Sequence, residues 1–216
     1  MSFKDKVVVI TGASSGIGKE AAIEFASKGA KLTIISRRKE KLEELKQTLA
    51  KFGTDVLVCP CDVSDKAQVK QMTSQVLEKF GKIDVLVNNA GFAIYGTVSD
   101  LSIEEIESQM QTNYLGMVYC TKNFLSTFQK QNSGHIVNVA SVAASFGLPG
   151  IASYLSAVLR FRNNSVMEKE FKKMVGKFIE HGFWLYNLAT NSQRNLSVEN
   201  KETSTNLSLK VLIVRK

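Results

Sequence analysis

The stretch TGASSGIG, at residues 11–18, has the first side chains whose types and spacing could do chemistry. Its glycines stand at Gly12, Gly16 and Gly18, between an apolar run and a helical pattern. Glycines allow a tight turn and a close approach of the backbone, and the N–H groups that open a helix bind phosphate oxygens. We therefore expect this loop to hold the pyrophosphate of a dinucleotide.

A basic cluster follows the second β-branched run, in IISRRKEK at residues 34–41. Ser36 stands where an acidic residue would accept a hydrogen bond from the ribose 2′-hydroxyl of NAD. Arg37 and Arg38 supply charge-assisted donors suited to a 2′-phosphate, and Lys41 lies one turn further on. The pattern favours NADP(H), although the three cations could instead simply begin a charged helix.

Short β-branched runs alternate with helical patterns over residues 1–154. Strands with two apolar faces, joined by helices, are typical of a parallel sheet covered on both sides. The alternation predicts an α/β fold, a Rossmann-type doubly wound parallel sheet in three layers, with ligands at the carboxyl ends of the strands. The predicted strands are 6–11, 31–36, 55–59, 83–87 and 135–140, and the predicted helices are 17–28, 39–51, 65–80 and 102–130.

Further motifs complete a family pattern: NNAG at 88–91, Asn113 in TNYLG, Ser141 at the end of HIVNVAS, and Tyr154 shortly after it. Together with the glycine loop they resemble the short-chain dehydrogenase/reductase family over residues 4–154. The stretch from Ala90 to Tyr119 is similar to the ketosphinganine-reductase branch of that family, which suggests a lipid-like 3-keto substrate.

The resemblance implies a chemistry for three of these residues. The hydroxyl of Tyr154 would act as acid in ketone reduction or as base in alcohol oxidation, while the nicotinamide gives or takes hydride. Ser141 would hydrogen-bond the substrate carbonyl and stabilise developing oxyanion charge. Asn113 would help to hold a water chain that resupplies the proton.

The resemblance also implies which residues hold NADP(H). Asp62 could instead cap the helix that starts near Asp65, and NNAG could be an ordinary turn. The expected cofactor residues are Gly12, Ser14, Ser15, Gly16, Ile17 and Gly18 at the pyrophosphate, Arg37 with Arg38 and Lys41 at the 2′-phosphate, Asp62 and Val63 at the adenine, and Asn89, Ala90 and Gly91 at the adenosine side.

One position departs from the family pattern. The family has a lysine four residues after the tyrosine, where this chain has Val158. A free tyrosine has a pKa of about 10, and a cation one helical turn away lowers that pKa by favouring the phenolate. Arg160 and Arg162 are not placed on a helix to replace the lysine. We therefore expect impaired turnover, or alternatively a catalytically deficient NADP-binding or partner-binding protein.

Composition changes abruptly after Tyr154. Residues 155–216 hold 11 of the 28 Lys and Arg residues but 5 of the 20 Asp and Glu residues, and 2 of the 14 glycines. We expect a dinucleotide-binding core at 1–154 and a divergent segment at 155–216, which a frameshift or an alternative exon would explain. The segment has an amphipathic helix pattern around Phe171–Phe178, a polar stretch at 190–208, and a strand-like LKVLIV at 209–214 suited to a vacant sheet edge.

The remaining composition narrows the classes of function. The net charge of +8 lies mainly in the last third without interleaved aromatics, which predicts a solvated basic segment and no nucleic-acid partner. The three cysteines lack zinc spacing and are expected to be buried thiols, so we expect no metal. No membrane span is expected. We expect a cytoplasmic protein acting on a small ketone or alcohol, as a homodimer or homotetramer.

Overall fold

The computed structural model describes residues 3–141, residues 150 and 154, and the backbone of residues 206–214. Strands and helices alternate along the chain as the β-branched and helical patterns predict. The strands are β1 (Val7–Thr11), β2 (Lys31–Ser36), β3 (Val56–Pro60), β4 (Val85–Asn88), β5 (Ser133–Ser141) and β6 (Asn206–Val214). The helices are α1 (Gly16–Ser27), α2 (Lys39–Ala50), α3 (Lys66–Phe80), α4 (Ile103–Met110) and α5 (Gly116–Gln131), with a π-helical turn (Gln111–Leu115) between the last two.

The strands form a sheet in the order β3-β2-β1-β4-β5-β6, and every neighbouring pair is parallel. The chain builds outward from β1 to β3, then returns to the other side of β1 to add β4. The strand order therefore reverses between β1 and β4, whose register pairs Val8 with Val85 and Ile10 with Val87. This confirms the doubly wound parallel sheet, and ligands of such sheets bind at this crevice.

The core lies in two layers, one on each face of the sheet, because successive side chains of a strand point to opposite faces. Val8 and Ile10 of β1 pack with the side chains of α1 and α2, whereas Val9 packs with those of α3 and α5. This gives the three-layer architecture. The largest helix contributions are Phe25 and Leu42 on the first face, and Met72, Phe124 and Phe128 on the second.

The prediction of a single helix over 102–130 is wrong in the middle of that range. A capping box between Ser102 and Glu105 starts α4, since each residue's side chain accepts a hydrogen bond from the other's backbone N–H. The π-helical turn then interrupts the run before α5 begins at Gly116. Asn113 lies in this turn and is hydrogen-bonded to Phe92, outside the helix. Single π-helical turns of this kind occur frequently at functional sites.

β6 pairs with β5 along its whole length, from Ser133 with Asn206 to Ser141 with Val214. The terminal run LKVLIV lies within this strand, which occupies the sheet edge beside β5. The helix expected around Phe171–Phe178, most of the polar stretch, and Val158 lie outside the described residues.

Candidate cofactor and catalytic site

The glycine loop joins the end of β1 to the start of α1, at the point where the strand order reverses. Gly12 has a φ of +67°, and a Cβ there would lie 2.8 Å from the Cα of Ala90. A Cβ on Gly18 would collide with the carbonyl oxygen of Gly12. Only glycine fits at these two positions, so the loop packs closely against the residues that follow β4.

The N-terminus of α1 keeps its positive end available. Its first turn contains no acidic residue, and the N-cap residue Ser15 does not cap the helix through its side chain. Unpaired N–H groups and the helix dipole at such an end attract anions. The predicted loop residues Ser14, Ser15, Gly16 and Ile17 all lie at this end of the helix.

Thr11 and Asn89 fasten the glycine loop to the strand beside it. The Thr11 hydroxyl accepts hydrogen bonds from the backbone N–H groups of Asn89, at 2.9 Å, and of Ala90, at 3.0 Å. The Asn89 amide in turn donates to the carbonyl oxygens of Thr11, at 3.0 Å, and of Gly12, at 3.2 Å. The predicted residues Asn89 and Ala90 thus directly support the loop, and NNAG is more than an ordinary turn.

Arg38 reaches across from the end of β2 to the glycine loop. Its guanidinium donates through Nη2 to the Ser14 hydroxyl at 2.7 Å and to the Ser15 hydroxyl at 2.9 Å, with a longer bond from Nε to Ser14 at 3.3 Å. Arg38 is also the N-cap residue of α2, so its backbone starts the helix while its side chain contacts the loop. These contacts concentrate positive charge and hydroxyl groups beside the start of α1.

The other two predicted cations have different partners. Arg37 faces Asp62 across the sheet edge, with Nη1 3.8 Å from a carboxylate oxygen, and its side chain is 71% exposed. Lys41 pairs with Glu44 on the surface of α2 at 2.8 Å. The structure therefore brings Arg38 to the glycine loop, whereas Lys41 lies in a helix-surface ion pair, as in the alternative of a charged helix.

Asp62 and Val63 follow β3 at the same end of the sheet. Asp62 accepts hydrogen bonds from the backbone N–H of Ser64 at 2.9 Å and from its hydroxyl at 2.7 Å. The alternative that Asp62 caps α3 is wrong, because Asp65 is the N-cap and accepts from the N–H groups of the first turn. Val63 is buried, and a Cβ on Gly116 would lie 2.7 Å from it, so it fixes the start of α5 close to this loop.

Asn113 is buried and clamps the segment that follows β4. Its Oδ1 accepts from the N–H of Phe92 at 2.9 Å, and its Nδ2 donates to the carbonyl oxygen of Phe92 at 2.7 Å. Gly91 leaves room for this contact, since a Cβ there would lie 3.1 Å from Asn113 Oδ1. The predicted catalytic amide is therefore held beside the loop formed by Asn89, Ala90 and Gly91.

Ser141 and Tyr154 lie beyond these loops. Ser141 is the last residue of β5, half-buried, at the same carboxyl end of the sheet. Tyr154 is helical and half-buried. Between them, Gly150 has a φ of +76° and its carbonyl oxygen accepts from the N–H of Gly96 at 2.8 Å. This bond ties the chain just before Tyr154 to the segment that Asn113 clamps.

Sequence reasoning missed several supporting residues. Thr11 immediately precedes the first glycine, and this position in the sequence could have indicated that its hydroxyl supports the loop. Asn88 is buried and donates to Asn138 at 2.9 Å and to Thr121 at 3.2 Å, which links the ends of β4 and β5 to α5. A buried polar residue at a strand end is the pattern that would have indicated this link.

The cysteines take no part in the site. All three are free and buried, as expected. Burial raises the pKa of the Cys59 thiol to about 11, against a smaller opposing effect of Lys79, and raises those of Cys61 and Cys120 to about 12. Among the described residues, no cluster of three or more His, Cys, Asp or Glu side chains could hold a metal ion. None of the described helices has the length and apolar character needed to cross a bilayer.

Comparison with known proteins identifies relatives that match the dinucleotide-binding core expected at residues 1–154. The family model described as short chain dehydrogenase matches residues 6–159. An uncharacterised oxidoreductase of Listeria monocytogenes is 38% identical over 154 residues, 71% of this chain and 62% of the relative. The 3-ketodihydrosphingosine reductase of Bos taurus is 39% identical over 160 residues, 72% of this chain and 48% of the relative. The matched part of the chain thus spans about half to three fifths of the length of these two relatives.

Solved structures show the same fold with either cofactor. A short chain dehydrogenase/reductase from Burkholderia phymatum, in complex with NAD, superposes with a TM-score of 0.76 at 27% identity and covers 99% of this chain and 66% of its own. An alcohol dehydrogenase from Thermococcus sibiricus, complexed with 5-hydroxy-NADP, has a TM-score of 0.71 at 31% identity and covers 79% and 71%. Likeness to these structures alone leaves the choice between NAD and NADP open.

Proposed function

The chain belongs to the short-chain dehydrogenase family, and on that premise we propose that it is an oxidoreductase that uses NADP(H) and acts on a ketone or a secondary alcohol. The observation that carries the cofactor proposal is the contact of Arg38 with the hydroxyls of Ser14 and Ser15. This function is proposed for the family to which the core belongs. The rate of turnover of this chain depends on Val158, which stands where the family has a lysine.

The residues present fit a phosphorylated dinucleotide. Gly12 and Gly18 form a cradle that a Cβ would fill, and the start of α1 supplies unpaired N–H groups to a pyrophosphate. Arg38 with the two serine hydroxyls supplies cationic and neutral donors to a 2′-phosphate, and Arg37 lies at the same strand end. Ser36, at the end of β2, has no carboxylate to accept from a ribose 2′-hydroxyl. This donor set favours NADP(H) over NAD(H).

We assign the chemical roles by the family resemblance. NADP(H) would give or take the hydride at its nicotinamide. The Tyr154 hydroxyl donates a proton to the carbonyl oxygen during reduction, or removes one from the alcohol during oxidation. Ser141 hydrogen-bonds the same oxygen and stabilises the charge that develops on it. Asn113, buried and fixed to Phe92, holds the water chain that resupplies the proton.

Val158 limits this chemistry. At neutral pH a tyrosine hydroxyl with a pKa of about 10 is a poor base, and the family lysine that lowers that pKa is replaced here by an apolar side chain. The second candidate function is therefore a catalytically deficient protein that binds NADP(H) or a partner. The two candidates share the cofactor site and differ in turnover, so binding and turnover are measured separately.

A lipid-like 3-keto compound is the proposed substrate class. The bovine relative named 3-ketodihydrosphingosine reductase supports it, and so do apolar side chains exposed just after the clamped segment. Tyr95 is 75% exposed, Val98 67% and Ile103 65%, which would suit contact with an acyl chain. We expect the chain to bind a 3-keto substrate with a long alkyl chain more tightly than its short-chain analogue.

The deciding experiment compares the unaltered chain with Val158→Lys. NADPH and NADH binding are measured by quenching of the Trp184 fluorescence or by calorimetry, and turnover is measured with a panel of ketones. Tight NADPH binding with turnover that rises in Val158→Lys supports the oxidoreductase lineage with an impaired site. Turnover that Val158→Lys leaves unchanged or lowers would contradict the impairment, and failure to bind either cofactor would contradict the oxidoreductase and count against a catalytically deficient NADP(H)-binding protein.

The remaining expectations have direct tests. Assembly as a homodimer or homotetramer predicts two or four chain masses in light scattering, and a cytoplasmic location predicts recovery in the soluble cell fraction. The division at residue 154 and the frameshift or alternative exon are examined by translating the downstream frames of the gene. A Tyr-x-x-x-Lys continuation in another frame would support that origin of residues 155–216, and its absence would end the idea.

A further inference from the structure

The segment between β4 and α4 is held by a row of three hydrogen bonds, which the backbone N–H groups of alternate residues donate. The N–H of Phe92 donates to Asn113 Oδ1 at 2.9 Å, and the N–H of Ile94 donates to Gln109 Oε1 at 3.0 Å. The N–H of Gly96 donates to the carbonyl oxygen of Gly150 at 2.8 Å. An interval of two residues is the repeat at which N–H groups of an extended chain point the same way.

Gln109 forms the middle contact of this row. It is fully buried, in the last turn of α4, and it precedes Asn113 by four residues. Asn113 lies about one helical turn beyond Gln109, so the two side-chain amides are neighbours on the helix and accept from alternate N–H groups of the segment. A buried amide that meets this spacing is well suited to fixing backbone, since leaving Ile94 without its acceptor would be unfavourable.

The row joins the two ends of the predicted catalytic set. It starts at Asn113, and it ends at Gly150, four residues before Tyr154. The positive φ of Gly150, +76°, shows that the chain there adopts a backbone conformation that few other residues adopt readily. A displacement of Ile94 would therefore shift Gly96 and the carbonyl group of Gly150, four residues before Tyr154.

We propose that Gln109 is a positioning residue of this site: by holding Ile94, it sets where Tyr154 lies relative to Asn113. It acts through the backbone and touches no reacting atom. This inference goes beyond the proposed function, because it is independent of the cofactor and of the substrate. Only its kinetic readout rests on the proposed function, and a second readout is free of that dependence.

One variant of Gln109 removes the hydrogen bond to the Ile94 N–H and largely keeps the size of the side chain. Gln109→Met has a similar length and lacks the acceptor. Gln131 offers a matched control, since its amide accepts from the N–H of Ile83 at 3.1 Å and donates to the carbonyl oxygen of Ile83 at 2.7 Å. Ile83 precedes β4, at the opposite end of the strand from the site.

Hydrogen exchange of the full chain is the readout that needs no turnover. In Gln109→Met we expect exchange at Ile94, Gly96 and Tyr154 to accelerate at least about tenfold. Gln131→Met should accelerate exchange at Ile83 while leaving Gly96 and Tyr154 as they were. Unchanged exchange at Gly96 and Tyr154 in Gln109→Met would overturn the proposal, whatever the enzyme activity.

Kinetics in the Val158→Lys background give the second readout. We expect Gln109→Met to lower kcat by about tenfold or more while the KM for NADPH changes less than about twofold, because the contact that is removed lies at Ile94, beyond the expected cofactor residues Asn89, Ala90 and Gly91. An equal loss of kcat in Gln131→Met would show a general structural effect and contradict the proposal. Absence of turnover in every variant would count against the proposed function alone, since hydrogen exchange still decides the role of Gln109.

Discussion

Arg38 donates a hydrogen bond through Nη2 to the Ser14 hydroxyl at 2.7 Å, across 24 residues of sequence. The contact brings the start of α2 onto the glycine loop and leaves Arg37 to face Asp62 at 3.8 Å. Two adjacent arginines that look equivalent in the sequence therefore have different surroundings, and they can be told apart by substitution.

Arg38→Ala should weaken NADPH binding much more than NADH binding. A charge-assisted hydrogen bond contributes about 1.5 to 3 kcal/mol, which corresponds to a loss of roughly tenfold to hundredfold in affinity. Calorimetry with both cofactors measures the change. Arg37→Ala is the matched comparison, and a larger loss of NADPH affinity in Arg37→Ala than in Arg38→Ala would show that Arg37 carries the specificity instead.

Val158→Lys should increase turnover. A cation four residues after Tyr154, where the family has its lysine, should favour the phenolate, and a gain of about tenfold or more is expected. The pH dependence of kcat/KM for ketone reduction measures the effect. The limb that falls at high pH should move to lower pH. Val158→Met, which adds length without charge, should leave the profile of the unaltered chain in place.

Gly18→Ala should impair both stability and cofactor binding. The added Cβ would meet the carbonyl oxygen of Gly12 and the amide of Asn89, and overpacking of this kind costs about 1 to 3 kcal/mol. Thermal unfolding and NADPH titration measure the two effects. Gly53→Ala is the comparison, because Gly53 has a φ of +64° with open space around it, so the substitution strains the backbone away from the site. Equal loss of NADPH binding in both variants would contradict a specific role for Gly18.

Protonation of Asp84 should lower the free energy of unfolding at low pH. Burial opposes ionisation, but hydrogen bonds from the Val7 N–H and from the ammonium groups of Lys6 and Lys82 outweigh it and lower the pKa of the carboxyl below its ordinary value of 3.8. A carboxyl whose pKa is lower in the folded state stabilises above its unfolded pKa, and this contribution is lost as the pH falls through the folded-state value.

Asp84→Asn should therefore flatten the acid limb of the stability profile and lower the free energy of unfolding near neutral pH by about 1 to 3 kcal/mol. Urea unfolding at a series of pH values measures both changes. Asp55→Asn removes a more exposed ion pair with Lys79 and should cost less than about 1 kcal/mol. An acid limb that is equally steep in Asp84→Asn and in the unaltered chain would disprove the role.

The buried thiols should be unreactive in the folded chain. With pKa values of about 11 for Cys59 and about 12 for Cys61 and Cys120, almost no thiolate exists at pH 8. Iodoacetamide should label none of the three within minutes under native conditions and all three in denaturant, as mass spectrometry would detect. Rapid labelling of the native chain would indicate that the packing around α3 and α5 opens readily.

The sequence predicted most of the sheet and the glycine loop because both depend on local patterns. Gly12 and Gly18 lie at fixed distances from the end of β1, and β-branched runs mark the strands. The role of Arg38 could not be read in the same way, since it depends on where β2 ends relative to a loop 24 residues earlier. The π-helical turn was missed for a similar reason, because Asn113 is bonded to Phe92, 21 residues away.

The hydrogen bonds between Thr11 and Asn89 have a consequence for the speed of cofactor binding. Because hydrogen bonds from Asn89 and Ala90, within the chain itself, hold the loop, cofactor binding should require little ordering of the backbone. Association should then follow a single exponential whose rate increases linearly with NADPH concentration, without the plateau that a slow conformational step imposes. Exchange of Thr11 for valine would remove the hydroxyl that accepts both N–H groups, and stopped-flow traces of that variant should acquire a slower second phase.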